Sequence, residues 1–222
     1  MFIDIHSHII DKPVLGIRVL NLISENSDSD NIGLRMTQQI GICFCAGIHP
    51  WYSEGWKANN LEKLMPVFED NKVILIGEIG LDKLCKVPLR IQNKIFISQL
   101  EIANSLKKPV ILHVVKQMEN VINLIKTYSE IPSWIIHGFR GGSQEARQYI
   151  SKGFSLSFGC KFSEDGLNSC PDDKLFIESD ESDINIEEIY KMIAKSRSVS
   201  TKDLELQVER NFSSINKTGL TF

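Results

Sequence analysis

The sequence predicts a TIM-type (β/α)8 barrel that is trimmed, with one or two of its outer helices missing. Eight short segments carry the apolar, β-branched pattern of strands. Several of them are near-continuous apolar runs, as in parallel strands that are covered on both faces. Helical patterns separate most of these segments, and this alternation is typical of a ring of parallel strands surrounded by helices. We expect a single domain that spans residues 1–222.

The predicted strands are bounded by polar, glycine or proline residues. They are residues 2–6, about 16–23, 42–48, 73–78, 110–114, 133–137, 154–158 and 175–179. The clearest helix is 89–106, in which Phe96, Leu100 and Ala103 recur at helical spacing. The other predicted helices are residues 60–68, 120–128, 143–151, 185–195 and 200–213.

Two connections between predicted strands do not suit a complete outer helix. Residues 9–15 are too few, and residues 159–174 contain glycine, cysteine, proline and aspartate instead of a helical repeat. An incomplete helical ring leaves apolar barrel wall exposed, so we expect that a protein partner covers it. The polar residues 213–222 are expected to fray.

Composition argues against several classes of protein. With 42% hydrophobic residues the chain can bury a large core, yet it has no run near the roughly 18 apolar residues of a membrane span. The five cysteines are odd in number and lack CxxC spacing, which favours reduced thiols and a cytoplasmic location. A net charge of −3 argues against nonspecific coating of nucleic acid, although it is compatible with a local basic cleft.

All five histidines stand where a predicted strand ends, which scattered core or surface histidines would not do. They are His6, His8, His49, His113 and His137, and the carboxylates Glu78 and Asp180 repeat the pattern. Neutral imidazoles bind metals, and carboxylates can bridge them. Strand ends deliver such groups to the mouth of a barrel, so the sequence predicts a metal-dependent hydrolase.

Position along the strands indicates individual roles. His6 and His8 are two apart on a strand and therefore point to the same side. Glu78, between two sets of histidines, can bridge two ions around a hydroxide, an arrangement that stabilises a displacement at phosphorus. Asp180 ends the last predicted strand, beside the first in a closed barrel, so it can complete a site with His6 and His8 and is the candidate general base.

Three side chains near these positions keep alternative roles. His49 precedes Pro50 in a loop rich in aromatic residues and fits a metal ligand, a phosphate contact or a loop anchor. Asp4 either supports a ligand imidazole or is a buried polar group near the barrel floor. Asp82 could either hydrogen-bond a side chain that binds metal or contact the substrate directly.

Basic residues follow several of the strands that carry the candidate ligands, as suits a phosphodiester backbone. The basic residues concerned are Lys83, Lys86, Arg90, Lys116, Arg140 and Lys161. The expected substrate contacts are His49, Lys83, Lys86, Lys116 and Arg140. Trp51, Tyr52 and Trp56 add aromatic surface on which bases could stack. The alternative is that the lysines are ordinary solvated side chains and that the tryptophans hold the loop down.

Six motifs occur in order along the chain: DIHSH, AGIHPWY, IGEIGLD, PVILH, HGFRGG and ESD. Together with the helix that contains Gln92, Phe96 and Gln99, and with the closing Asn211 and Phe212, they resemble the signature of the TatD family of metal-dependent deoxyribonucleases. The resemblance implies a TIM barrel with two divalent metal ions, such as Zn, Mn or Mg. It also implies activity on DNA, often as a 3′ to 5′ exonuclease, so DNA as a single strand or as ends is the expected partner.

The resemblance also implies which residues hold the ions. One ion would be bound by His6, His8, Glu78 and Asp180, and the other by Glu78, His113 and His137. Departures from the family pattern concern the substrate more than the metals. Val115 stands where the family usually has an arginine, with Lys116 next, and ESDES replaces ETDSP. Such shortened chains resemble the TatD-like component of Qat-type anti-phage systems, so a role in defence is a further expectation.

Two other functions are compatible with the sequence. One is an amidohydrolase-type enzyme that acts on a small amide or phosphoester, which a closed apolar pocket would favour over an open basic groove. The other is a partner-dependent barrel subunit with weak intrinsic activity, which an apolar patch over residues 9–15 or 159–174 would favour. The fold alone does not choose, because TIM barrels host many chemistries.

Overall fold

The computed structural model describes residues 1–9, 16–22, 41–56 and 61–216. In this part of the chain, eight strands belong to one sheet and neighbour one another in chain order. The strands are β1 Phe2–Ser7, β2 Gly16–Asn21, β3 Ile42–Ala46, β4 Val73–Asp82, β5 Val110–Val115, β6 Trp134–Ile136, β7 Phe154–Phe158 and β8 Leu175–Ile177. The helices are α1 Met65–Glu69, α2 Leu89–Leu106, α3 Met118–Val121, α4 Leu124–Thr127, α5 Ser143–Ser151, α6 Glu164–Asn168, α7 Ile186–Ser196 and α8 Thr201–Ile215. Short 3-10 helices occupy Pro50–Gly55, Glu62–Leu64 and Asp172–Lys174.

This order of parallel strands, alternating with helices, confirms the predicted fold class. Four details differ from the prediction. β4 continues to Asp82 because it keeps pairing with β5 as far as Val115. The predicted helix 120–128 is two short helices, α3 and α4. The predicted helix 60–68 is a 3-10 turn followed by α1, where Pro66 lacks a backbone donor. Residues 213–215 are helical rather than frayed, and 217–222 lie outside the described residues.

The connection 159–174 contains only the five-residue α6 and a 3-10 turn, so the outer helix expected to be missing there is indeed short. The connection packs against its own neighbours. Leu167 and Cys170 are buried, and the Arg197 guanidinium donates to their carbonyl oxygens at 2.7 and 2.9 Å. Residues 10–15 of the other expected gap lie outside the described residues. A protein partner that covers barrel wall stays a prediction.

Backbone contacts group the chain into two compact units. The terminal unit comprises residues 1–20, 40–43 and 135–222, and the central unit comprises residues 21–39 and 44–134. The single domain expected over residues 1–222 stays a prediction. Among the described residues, no helix is both long and apolar enough to cross a bilayer.

In the terminal unit, β1 is anchored by two fully buried polar side chains. The hydroxyl of Tyr190 on α7 accepts from the N–H of Ile3 at 3.1 Å and donates to the carbonyl of Ile3 at 2.9 Å. The Asp4 carboxylate accepts from Arg18 Nε on β2 at 3.1 Å, and from Ser179 N and Oγ at 2.9 and 2.7 Å. Burial nevertheless raises the pKa of Asp4 to about 6. These contacts favour the buried structural role for Asp4 over support of a ligand imidazole.

In the central unit, β4 and β5 lie very close together beside the candidate ligands. Gly80 pairs with His113 and has a φ of +147°, and a Cβ at this position would lie 2.0 Å from the His113 carbonyl oxygen. Only glycine therefore fits at this position. Helix α2 covers the outer face of this unit through buried Ile95, Phe96 and Leu100. The close approach of the two strands brings Glu78 on β4 within reach of His113 on β5.

Candidate metal centres

Three candidate ligands converge in the terminal unit at the ends of β1 and β8. His6 Nε2 lies 3.1 Å from His8 Nε2, and Asp180 Oδ1 lies 3.8 Å from the first and 3.7 Å from the second. Backbone bonds set this arrangement: Asp180 N donates to the His6 carbonyl at 2.9 Å, and His8 N donates to the Asp180 carbonyl at 3.1 Å. Asp180 has a φ of +54°, which is uncommon for a residue other than glycine and frequent at functional sites.

The spacing of these three atoms fits a divalent ion. A point in their plane equidistant from all three lies about 2.1 Å from each, close to the roughly 2.0–2.2 Å that zinc prefers to imidazole nitrogen and carboxylate oxygen. His6 is fully buried, whereas the side chains of His8 and Asp180 are 34% and 31% exposed. The cluster is thus buried on the side of His6 and partly exposed to solvent on the side of His8 and Asp180.

Glu178 is a functional candidate that the sequence analysis did not assign to the site. Its Oε1 lies 3.3 Å from His137 Nδ1 and accepts from Gly138 N at 2.8 Å, while the His137 and His6 rings are 4.9 Å apart. Burial alone would raise the pKa of Glu178, but His137 and His6 hold it below its usual range. A buried carboxylate on a ligand imidazole fixes the ring and raises its basicity. The signal was present in the ESD motif, where Glu178 stands two residues before Asp180.

The central unit contains a second cluster, built around Glu78. Glu78 is buried, and its Oε1 lies 2.9 Å from His113 Nδ1 and 3.2 Å from His49 Nε2. The other His113 nitrogen, Nε2, lies 3.3 Å from Asp82 Oδ2. Asp82 is held in turn by Trp51 Nε1 and by Leu84 N, both at 2.7 Å. Burial opposes ionisation of Asp82, but these hydrogen bonds and His113 keep its pKa below the usual value.

His49 contacts both its own loop and Glu78. Its Nδ1 accepts from the backbone N–H of Trp51 at 3.2 Å and caps the 3-10 helix Pro50–Gly55. Its Nε2 lies 3.2 Å from Glu78 Oε1. His49, Glu78 and His113 together present ligand atoms close enough to hold a metal ion. These contacts support the loop-anchor role, and the metal-ligand and phosphate-contact roles stay predictions.

Two buried glutamines of α2 hold the backbone that carries these side chains. Gln99 accepts from Ile48 N at 2.6 Å and donates to Ile48 O at 3.2 Å, directly before His49. Gln92 accepts from Asp82 N at 2.7 Å and donates to Asp82 O at 2.9 Å. The sequence placed both in a family motif without indicating a role. Each glutamine amide bonds both the N–H and the carbonyl of a single residue, as a neighbouring strand would. Gln99 thereby positions the backbone before His49, and Gln92 positions Asp82.

Replacing Gln99 by leucine is expected to lower the free energy of unfolding by about 2 kcal/mol, because the Ile48 N–H and carbonyl lose their buried partner. Chemical denaturation monitored by circular dichroism measures this loss. The matched control is Gln148→Leu, at an exposed position of α5, for which we expect a change within about 0.5 kcal/mol. Equal stability of the two variants would contradict the positioning role.

Of the predicted substrate contacts, His49 is buried in the second cluster, and the four basic residues are exposed on loops. Lys83 and Lys116 line one cavity of the central unit, of about 390 Å3, and Lys86 lines another, of about 530 Å3, that also reaches His113 and Asp82. Arg140 lines a cavity of about 440 Å3 in the terminal unit together with Glu178 and Asp180. Lys161 lies in the same cavity.

A family model described as "TatD related DNase" matches residues 3–217 of the chain. The uncharacterized metal-dependent hydrolase YabD of Bacillus subtilis (strain 168) is 29% identical over 157 residues, which are 66% of this chain and 62% of the relative. The 3′-5′ ssDNA/RNA exonuclease TatD of Shigella flexneri serotype 5b (strain 8401) is 27% identical over 178 residues, which are 74% of this chain and 68% of the relative. The match thus spans less than two thirds of YabD.

Solved structures resemble the chain over nearly its whole length. YJJV, a TATD homolog from Escherichia coli K12, has a TM-score of 0.82 at 20% identity, covering 96% of this chain and 97% of that chain. A hydrolase TatD family protein from Entamoeba histolytica has a TM-score of 0.75 at 18% identity, with the same coverage of 96% and 97%. At such identities the likeness concerns the fold, and it confirms the TIM-type barrel.

Proposed function

The chain belongs to the TatD-related DNase family, and we propose that it is a metal-dependent nuclease that hydrolyses phosphodiester bonds in DNA. The observation that carries the proposal is the convergence of His6, His8 and Asp180 at the spacing of a common divalent ion. The Shigella relative is named as an exonuclease of single-stranded DNA and RNA, which supports single-stranded nucleic acid as the substrate class. Lysines on the loops of the central unit suit the phosphate backbone.

The donor sets of both units suit divalent metal ions. We propose that His6, His8 and Asp180 hold an ion in the terminal unit, with Glu178 fixing His137 beside them. In the central unit we propose Glu78 and His113 as ligands. Mixed imidazole and carboxylate donors suit Zn, Mn, Co or Fe, and Mg is a further candidate. Divalent ions, when bound, polarise phosphoryl oxygens and lower the pKa of water. That Glu78 bridges two ions stays a prediction of the sequence.

The side chains of the chain itself supply the remaining functions. The partly exposed Asp180 carboxylate can accept a proton from the attacking water, as its position at the open side of the cluster allows. His49 Nε2 lies 3.2 Å from Glu78 Oε1 and can keep that carboxylate oriented. Lys83, Lys116 and Arg140 can neutralise the charge of the substrate backbone, and none of them can act as a metal ligand.

Cleavage of labelled single-stranded DNA tests the proposed function. We expect metal-loaded protein to degrade a 5′-labelled oligonucleotide, and the ladder of products to report whether cleavage starts at the 3′ end. Chelation should abolish the activity, re-addition of Zn, Mn or Mg should restore it, and Glu78→Ala should be inactive in parallel. If the protein binds the metal but the DNA stays intact with every metal tested, the nuclease assignment is refuted.

Neutralising Lys83 and Lys116 together by glutamine is expected to raise KM for single-stranded DNA about tenfold, because two cations that contact phosphates are lost. The plot of the logarithm of the binding constant for DNA against the logarithm of salt concentration has a negative slope. This slope should become shallower by about 1.4, since each phosphate contact on a single strand contributes roughly 0.7. Metal content should stay at the wild-type value, which separates substrate binding from metal binding. The control is Lys94→Gln on the exposed face of α2. An unchanged salt slope would indicate that these lysines do not bind the backbone.

We further propose, on the sequence resemblance alone, that the protein acts in the cytoplasm as part of an anti-phage defence system. The measurement is the efficiency of plaquing on cells that carry the complete surrounding gene cluster with either the wild-type chain or Glu78→Gln. A defence role that depends on hydrolysis requires that the variant loses protection. Equal protection by both chains would instead favour the partner-dependent subunit with little intrinsic activity.

A further inference from the structure

A mostly apolar cavity of the central unit adjoins the Glu78 cluster, whose His113 and Asp82 lie in its lining. Its volume is about 530 Å3, which is within the range of small-molecule sites of roughly 300–1,000 Å3. The walls are mostly apolar. The lining residues are Trp51, Leu84, Val87 and Val115 together with Asp82, Cys85, Lys86 and His113. The cavity therefore adjoins the groups that we assign to the reaction.

The indole of Trp51 is held in place although about half of the side chain is exposed. Trp51 is 52% exposed, yet its Nε1 donates to Asp82 at 2.7 Å and its ring contacts the His49 ring edge-to-face. Leu84, which is 66% exposed, lies on the wall of the same cavity. A large aromatic side chain that is both partly exposed and fixed loses little entropy when a flat ligand stacks on it.

A polar cavity of the same unit is lined by two lysines, which are suited to bind a phosphate group. It has a volume of about 390 Å3, and its lining includes Lys83, Lys116 and the carboxylate of Glu119. Lys83 N donates to the Val115 carbonyl at 3.1 Å, so the backbone itself joins the two cavities. Lys116 has a φ of +52°, a conformation that turns the chain directly after Val115 and is common at functional sites.

We propose that the apolar cavity binds one nucleobase of the substrate and that the neighbouring basic cavity binds the flanking phosphate. The inference rests on the proposed nuclease function and specifies how its substrate is held. The carboxylate of Asp82 is already engaged by Trp51, Leu84 and His113, so the cavity offers mainly a stacking surface, with Lys86 and Cys85 as its other polar lining residues. Recognition by stacking accepts every base, and the enzyme should therefore show little sequence preference.

Calorimetric titration of metal-loaded protein tests the nucleobase site. The probes are thymidine 5′-monophosphate and 2-deoxyribose 5-phosphate, which share the phosphate and sugar and differ only in the base. We expect the nucleotide to bind about tenfold more tightly than the sugar phosphate, as base–aromatic stacking provides. In Leu84→Ala and Trp51→Ala the ratio of the two affinities, nucleotide over sugar phosphate, should fall to about threefold or less. Trp51→Phe keeps an aromatic face and should keep most of this ratio.

Matched controls separate this site from damage elsewhere. Leu206→Ala removes another exposed leucine, on α8, and should leave the ratio unchanged. Metal content is measured for every variant, because Trp51 also contacts Asp82. A ratio that stays at its wild-type value in both Leu84→Ala and Trp51→Ala overturns the inference. Wild-type DNA cleavage is assayed in parallel: active enzyme without base dependence overturns the nucleobase site alone, and inactive wild type overturns the nuclease function.

Discussion

Glu78→Gln is expected to lower the rate of DNA hydrolysis about a thousandfold or more, with the fold intact. The carboxylate of Glu78 is only 3% exposed, and a single oxygen, Oε1, faces both His113 Nδ1 and His49 Nε2. The amide has nearly the same shape, so packing is preserved. It has no charge and is a poor metal ligand, so the central cluster loses the group around which it is built.

Metal analysis of the same variant tests the sequence-based prediction that Glu78 bridges two ions. If it does, Glu78→Gln should lower the occupancy of both ions, whereas His137→Ala should mainly lower one. Glu101→Gln, at an exposed position of α2, is the control for a neutralised glutamate in the same unit. Wild-type metal stoichiometry in Glu78→Gln would contradict the bridge, and wild-type turnover would remove Glu78 from the mechanism.

Tyr190→Phe is expected to lower the free energy of unfolding by about 2–4 kcal/mol, the largest stability change that we anticipate from the loss of one atom. The Tyr190 hydroxyl is the partner of both the N–H and the carbonyl of Ile3, and all three groups are buried. Burial raises the pKa of this hydroxyl well above its ordinary value, so it remains a donor throughout the working range of pH. The variant leaves two backbone groups of β1 without their partner.

Urea denaturation of Tyr190→Phe beside Tyr149→Phe measures this effect. The Tyr149 hydroxyl bonds the Glu145 carboxylate on the exposed side of α5, so its removal should cost about 0.5 kcal/mol or less. Because β1 carries His6 and leads directly into His8, we also expect Tyr190→Phe to bind metal less tightly at elevated temperature. Equal losses in the two variants would show that the buried hydroxyl does not anchor β1.

Local pattern in the sequence was sufficient to predict the strands and their order, but not every strand end, because Glu78 and His113 lie within β4 and β5 rather than at their ends. A strand alternates faces with a period of two, and parallel strands of a barrel end at one rim, so position alone indicates that His6 and His8 share a side. The clearest helix was predicted over residues 89–106, and α2 has those bounds. Strands and helices depend mainly on residues that are close in the sequence, which is why the sequence predicts them.

Partners far apart in the chain were decided only by the tertiary structure. His137 meets Glu178 across 41 positions, and Asp4 meets Ser179 across 175. The contact of His49 with Glu78 likewise depends on how the loop after β3 packs against β4. Spacing specifies the face and the end of a strand on which a side chain stands, but the register between strands and the packing of helices determine what lies opposite it. A carboxylate or imidazole therefore acquires its protonation state and its function from contacts that the linear pattern does not encode.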